Sequence, residues 1–253
     1  MNAREPTYSR AVLRRVVPTV SSVSSVSSAS SGVPVDALAL RAGLRRCQIV
    51  VARHAAYLTR LDAVLGDGDH GDNLVTGFRA VDALLADLPI DTPPGVLLQA
   101  VGHRLVAAVG GASGPLYGTA FLEAGAVAGD RLALDAMTLA AMLGAASDGL
   151  ARRGRCAVGD KTILDALRPA ADVFSVAVAV SLEPGPEAVE ISVEIAVQAA
   201  VQAAVQAAFQ GMRSTRGLVA RRGLALRLGD RSIGHLDPGA VSCALLLRAL
   251  GGR

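Results

Sequence analysis

From Asp36 onward the apolar residues of this chain recur at spacings of three and four, and strand-like alternation is hard to find over any useful length. That pattern lays a stripe along a helix and leaves a sheet no face to bury. The region is therefore expected to be all-α. Gly, Pro and Asp punctuation divides it into eight helices, over roughly 36–60, 72–88, 95–109, 115–128, 136–153, 161–180, 187–219 and 238–250. Hydrophobic residues make up 51% of the chain and aromatics 3%, with no Trp, so the core must be built mainly from Ala, Leu and Val. Such a core suits close helix packing better than a β-sandwich.

The seventh helix carries a short repeat, Val197-Gln198-Ala199-Ala200, Val201-Gln202-Ala203-Ala204 and Val205-Gln206-Ala207-Ala208-Phe209. It places Val197, Val201, Val205 and Phe209 on one slowly drifting stripe, read as a packing face.

With 253 residues, the chain is long enough for one substantial core without disulfides or structural metal. Residues 1–34 differ in character: the run from Ser21 to Gly32 is nearly all Ser and Val, too poor in apolar mass to offset its ordering entropy. The expected division is a disordered Ser-rich leader over 1–34 and a single domain over 35–253. Arg4, Arg10, Arg14 and Arg15 give the leader a superficial likeness to a transit peptide. The whole chain, however, writes its cations as Arg, with Lys161 the sole lysine, which reads as coding bias.

The formal charge is only +3, the arginines are scattered and stacking aromatics are few, so no nucleic-acid partner is expected. The longest purely apolar stretch, around Val176 to Val180, falls far short of the ~20 residues that span a bilayer. Cys47, Cys156 and Cys243 are odd in number and lack C-x-x-C spacing, which argues against a disulfide scaffold or zinc site and for a reducing cytoplasm.

The densest polar constellation runs from Asp62 to Asn73. Gly66, Gly68 and Gly71 spell G-x-G-x-x-G, yet a dinucleotide motif needs a strand entering its first glycine and no carboxylate beside the pyrophosphate. Here Leu58, Leu61, Val64 and Leu65 follow helical spacing, and Asp67 and Asp69 stand between the glycines. Asp62, Asp67 and Asp69 would repel one another unless a cation neutralised them, and all-oxygen ligands select a hard metal. An EF-hand fails, because counting from Asp67 puts Phe78 where the bidentate glutamate belongs. Magnesium usually completes its shell with water and phosphate oxygens, so the loop implies a phosphorylated ligand. The bland alternative is a solvated acidic turn capping the next helix through Asp72.

Three further loops open helices, where unpaired N–H groups and the positive dipole end suit an anion. Val109-Gly110-Gly111-Ala112-Ser113-Gly114-Pro115 has Ser113 as a candidate cap. Gly159-Asp160-Lys161-Thr162 has Asp160 in the cap position, and its lone Lys161 implies a local need for a compact ammonium. Arg231-Ser232-Ile233-Gly234-His235-Leu236-Asp237-Pro238-Gly239 enters the last helix. Four such loops in one helical domain point to a nucleotide site on one rim. No nucleophile and base pair of the serine-protease kind is present, so covalent catalysis is not indicated and no catalytic residue is assigned.

These loops, in this order, resemble the L subunit, or ADP-binding domain, of dihydroxyacetone kinases, and the likeness runs from about 36 to 250. The resemblance implies an antiparallel eight-helix barrel with nucleotide, ADP or ATP, and two magnesium ions at one end. It implies that Asp62, Asp67 and Asp69 bind the ions, and that His70, Gly71 and Asn73, with Ala112 and Ser113, hold the phosphates. Gly154 and Ile163 would border the adenine, and Asp237, Pro238 and Gly239 would close the pocket. Dihydroxyacetone would sit on a separate K subunit. With no K domain in this chain, the resemblance favours a phosphotransferase-system protein as donor, with phosphoenolpyruvate behind it, and leaves room for a homodimer.

One departure matters. The family usually carries Lys-Gly-Arg-Ala-Ser-Tyr-Leu-Gly before the last loop, whereas this chain reads Arg222-Gly223-Leu224-Ala225-Leu226-Arg227-Leu228-Gly229. Leu224 stands where a phosphate-contacting arginine is expected, with Arg222 and Arg227 as candidate substitutes. That keeps open a rival of another class, a nucleotide-sensing regulatory module that binds a transcription factor or kinase partner without transferring phosphate. A fatty-acid-kinase-type domain fits less well, since that relative has Thr where His70 stands.

Overall fold

The computed structural model describes residues 34–182 and 193–252. The Ser-rich leader lies outside them. Eight α-helices are found among the described residues: α1 (Ala37–Leu65), α2 (His70–Asp87), α3 (Pro94–Ala108), α4 (Ser113–Ala128), α5 (Ala136–Gly154), α6 (Leu164–Leu182), α7 (Val193–Ser214) and α8 (Pro238–Leu250). Each packs against its neighbours in sequence, and α8 closes the ring against α1. The connections therefore gather at two ends. The turns that follow α1, α3, α5 and α7 share one end, and those that follow α2 and α4 share the other.

Helix starts follow local chemistry. Asp36, Asp135 and Asp237 accept the amides of Ala39, Thr138 and Ala240 at 2.7–2.8 Å, so α1, α5 and α8 open on true side-chain caps. A two-residue antiparallel ladder pairs β1 (Val35–Asp36) with β2 (Ala133–Leu134) and ties the start of α1 to the α4–α5 turn. No sequence signal announced it, because two residues carry no period.

The core runs the length of the ring, from Leu44, Val51 and Leu58 on α1 through Leu74, Phe78 and Val81 on α2 to Leu97, Val101 and Leu105 on α3. Helix α8 is the most enclosed, with every residue from Pro238 to Leu246 buried. On α7 the repeat turns a different face inward from the one its valines suggest. Ala200, Ala204, Ala207 and Ala208 are buried while Val201 and Phe209 are only half-buried. Small side chains let α7 lie close on α6. At Gly211 an added Cβ would stand 1.9 Å from the Asp165 carbonyl oxygen and 3.2 Å from Pro169 Cγ. Pro169 has no N–H to donate to that same carbonyl four residues back, so the α6 backbone is left open where α7 crosses it.

Candidate functional site

Helix α1 continues to Leu65, past the expected end near residue 60, so Asp62 belongs to its last turn. There Asp62 Oδ2 accepts the amides of Gly68 (3.0 Å), Asp69 (3.0 Å) and His70 (3.2 Å). One carboxylate thus folds the loop back over the helix end. Carboxylate oxygens of Asp62, Asp67 and Asp69 are brought within 4.8 Å of one another. The glycines serve this turn: a Cβ on Gly66 would lie 2.3 Å from Asp62 Oδ1, and Gly68 holds a left-handed φ of 79°. Gly71 lets α2 approach α1, since its Cβ would meet the Ala55 carbonyl at 2.1 Å.

Helix α2 begins at His70, two residues before the expected start, and Asp69 is its cap residue without a side-chain cap bond. Asp72 is therefore an exposed residue of the first turn and not the cap. The His70 imidazole is buried and turned inward. Its Nδ1 lies 3.0 Å from Ser113 Oγ and its Nε2 lies 2.9 Å from Ser242 Oγ. Burial pushes its pKa below the ordinary histidine range, against an opposing pull from Asp62. Ser242 Oγ is also 2.6 Å from Tyr117 Oη. The imidazole thus joins the starts of α2, α4 and α8.

Ser113 was the candidate cap of α4. The cap residue is instead Ala112, which has no side-chain cap bond, and Ser113 is the first helical residue, with its hydroxyl hydrogen-bonded to His70 Nδ1. Beside it, a Cβ on Gly110 would meet Asn73 Oδ1 at 2.7 Å, so the Gly110-Gly111 turn rests directly on the start of α2.

The Gly159-Asp160-Lys161-Thr162 loop departs furthest from its sequence reading. Helix α6 starts at Leu164, not 161, and the carboxylate that organises its start is Asp165. Asp165 accepts the amides of Gly159 (2.6 Å) and Thr162 (2.7 Å), and burial raises its pKa against those bonds. Asp160 does not cap α6; it accepts the Ala157 amide at 3.0 Å and pairs with Arg222 Nε at 3.3 Å. Lys161 is 2% exposed, in a left-handed conformation with φ 63°. Its Nζ donates to the carbonyls of Thr215 (2.6 Å), Leu218 (3.3 Å) and His235 (2.5 Å). The ammonium is spent on tying the α7–α8 connection to this loop, its three protons all taken by carbonyls. An arginine fork would not fit three carbonyls converging on one point, which accounts for the single Lys.

Ile163 is buried against Gly239, whose Cβ would lie 2.7 Å from Ile163 Cγ1. Gly154 ends α5, where a Cβ would meet Cys156 Sγ at 3.0 Å and Leu116 Cδ2 at 3.2 Å. Asp237 caps α8, and burial, with Asp165 and Asp62 nearby, lifts its pKa to about 7 against the Ala240 amide and Lys161. Pro238 occupies the first helical position. The aspartate turn and the three further loops therefore meet at one end of the ring.

Leu224 opens an irregular 3-10 segment, Leu224–Ser232, that lies against α1 and is kinked at Gly229. It is 42% exposed, and Leu226 is 54% exposed. Arg222 is held by Asp160, whereas Arg227 is exposed. Ser242, Tyr117 and Asp165 were missed by sequence reasoning. Ser113 and Tyr117 stand four apart on α4, which marks one helix face, but nothing local points from either to Ser242.

Among the described residues, no helix is long and apolar enough to cross a membrane. The DAK2 domain model matches residues 64–252. The chain is 37% identical over 202 residues to the ADP-binding subunit DhaL of PEP-dependent dihydroxyacetone kinase 2 from Listeria innocua serovar 6a, covering 79% of this chain and 87% of the relative. It is 38% identical over 213 residues to the ADP-binding subunit DhaL of the Escherichia coli PEP-dependent dihydroxyacetone kinase, covering 82% and 92%. A crystal structure of the dihydroxyacetone kinase from C. freundii in complex with AMP-PNP and Mg2+ superposes with a TM-score of 0.60 at 26% identity. That likeness covers 93% of this chain and 38% of the solved one.

Proposed function

The chain belongs to the DAK2 domain family, and from that premise we propose that it is the ADP-binding subunit of a PEP-dependent dihydroxyacetone kinase. A separate K subunit would hold the dihydroxyacetone, and a phosphotransferase-system protein would recharge the nucleotide in the cytoplasm. The observation that carries this reading is the aspartate turn: three carboxylates converge within 4.8 Å on the rim where α2 and α4 begin. Two relatives of similar length, named as such subunits, support it.

The donor set fits a hard divalent cation, since it offers only carboxylate oxygens and its like charges need neutralising. Asp62, Asp67 and Asp69 would hold two magnesium ions. Bound there, magnesium would offset the charge on the phosphates and orient them. The amides of Gly71 and Asp72, in the first turn of α2, have no intrahelical carbonyl to reach and face the anion with the positive end of the helix. Asn73, Ala112 and Ser113 complete the phosphate cradle, and His70 serves it by holding the Ser113 hydroxyl. Gly154 and Ile163 border the adenine, and Asp237, Pro238 and Gly239 close the pocket. The residues bind and position; in phosphoryl transfer that supplies most of the rate.

The test is to purify the chain, identify the nucleotide that accompanies it, and follow phosphate transfer to dihydroxyacetone with the K subunit and the phosphotransferase donor present. Mg-dependent ADP retention with transfer is the expected result. Retention without transfer would sink the kinase reading and leave the regulatory one standing.

A further inference from the structure

We infer that Lys161 is a positioning residue for the adenine base: it holds the Ile163 wall against the start of α8, and so sets the share of ADP affinity that comes from the base. The inference rests on the reading of Ile163, with Asp237, Pro238 and Gly239, as the border of that base. The two walls are close-packed. A Cβ on Gly239 would lie 2.7 Å from Ile163 Cγ1 and 3.5 Å from Ile163 Cδ1. They belong to different segments of chain, one in the loop before α6 and the other at the head of α8, so no local hydrogen-bond pattern fixes their approach. Something must tie the two segments together.

Lys161 stands two residues before Ile163, and the carbonyl that its Nζ meets at 2.5 Å belongs to His235, two residues before Asp237. The same ammonium donates to the carbonyls of Thr215 and Leu218, so its three N–H groups are all engaged. Thr215 carries the tie onward. It is fully buried, and its hydroxyl accepts the Asp237 amide at 3.0 Å. Lys161 thus reaches the start of α8 by two routes, through His235 and through Thr215. On the other side of Ile163, the Asp165 carboxylate accepts the amides of Gly159 and Thr162 and fixes the loop to α6. The Ile163 wall is held from both ends.

The backbone points the same way. Lys161 keeps a φ of 63°, a region that strains any residue with a Cβ and persists only where the surroundings over-determine it. Glycine would adopt that φ freely, as Gly159 does at 96° two residues earlier. What glycine lacks is the ammonium, so the strained conformation serves to deliver a three-proton donor to this point. A wall misplaced by about 1 Å, or a pocket that misfits by one methylene, costs roughly tenfold or more in binding or rate. Lys161 exerts that control without touching the base.

The experiment titrates the full chain with Mg–ADP and with Mg–pyrophosphate, which has phosphates and no base, at a temperature where circular dichroism shows each variant folded. Lys161→Met should weaken Mg–ADP binding about tenfold and leave Mg–pyrophosphate binding unchanged. Lys161→Arg keeps the charge without the geometry and should behave as Lys161→Met does. In an Ile163→Ala background, where the wall is already gone, Lys161→Met should add less than about twofold. Should Lys161→Met fail to fold, Thr215→Val applies the same test, since it keeps the shape and removes the acceptor of the Asp237 amide. Unchanged ADP affinity, an equal loss for ADP and pyrophosphate, full affinity in Lys161→Arg, or full additivity with Ile163→Ala overturns the positioning role and leaves the nucleotide site standing. Failure of the parent chain to bind Mg–ADP overturns the nucleotide reading itself.

Discussion

Asp62 on the last turn of α1 accepts the backbone N–H of His70, the first residue of α2, at 3.2 Å. The same oxygen holds the amides of Gly68 and Asp69, so one carboxylate both shapes the aspartate turn and ties the end of α1 to the start of α2. Asp67, in contrast, is exposed and shapes nothing.

The two aspartates should therefore fail differently. Asp67→Ala should abolish Mg-dependent ADP retention with a melting temperature within a degree or two of the parent. Asp62→Ala should abolish retention and also cost about 3 kcal/mol of stability, the order expected for charge-assisted bonds to three backbone amides. Thermal melts beside a nucleotide-retention assay separate the cases, and retention surviving in Asp67→Ala would disprove the metal assignment.

The aspartate turn was legible because its signals are local: helical spacing up to Leu65, glycines where a Cβ would collide, and three carboxylates in one short stretch. The count of eight helices was legible for the same reason, each being bounded by Gly, Pro or an Asp cap. The loop before α6 was not. Asp160 has the look of a cap, but Asp165 reaches back to fill that role, and nothing in a sequence marks a lysine as left-handed. The His70–Ser242 contact joins positions 172 apart, and a Ser inside the apolar run of α8 gives no hint of its partner. Burial on α7 went to alanines because α6 comes too close for valines, a property of the neighbouring helix and not of the repeat.

Lys161 offers a second test. Its ammonium meets three carbonyls from the α7–α8 connection, so Lys161→Met should leave those carbonyls without a donor and destabilise the chain by about 3 kcal/mol. Hydrogen exchange should rise first in residues 215–237. Were Lys161 a phosphate ligand, the same change would weaken ADP binding with little effect on melting.

Asp237 carries a pH signature. Its folded pKa, lifted to about 7, lies above the ordinary carboxylate value, so between the two the folded state holds a proton that the unfolded state has lost. Stability attached to this group is present at low pH and declines as pH rises toward 7. Asn caps a helix as well as Asp and carries no charge to desolvate. Without divalent metal, Asp237→Asn should melt higher than the parent at pH 8 and lose that advantage at pH 4. An advantage equal at both values would show that Asp237 is not the titrating group.

Leu224 bears on turnover. It is 42% exposed at the head of the segment that lies against α1, and the neighbouring Arg222 is held by Asp160. An apolar side chain there offers no donor to a phosphate, whereas a guanidinium would offer two parallel N–H groups in the geometry a phosphate accepts. Because such a donor acts on charge that develops in the transition state, its benefit should fall on kcat more than on ADP affinity. Leu224→Arg should raise the rate of transfer to dihydroxyacetone at least about tenfold in the reconstituted system, with ADP retention changed by less than about threefold. Removing Arg227 in the parent supplies the counter-test: if Arg227→Ala alone abolishes transfer, the exposed Arg227 already fills the role, and Leu224→Arg should then add nothing.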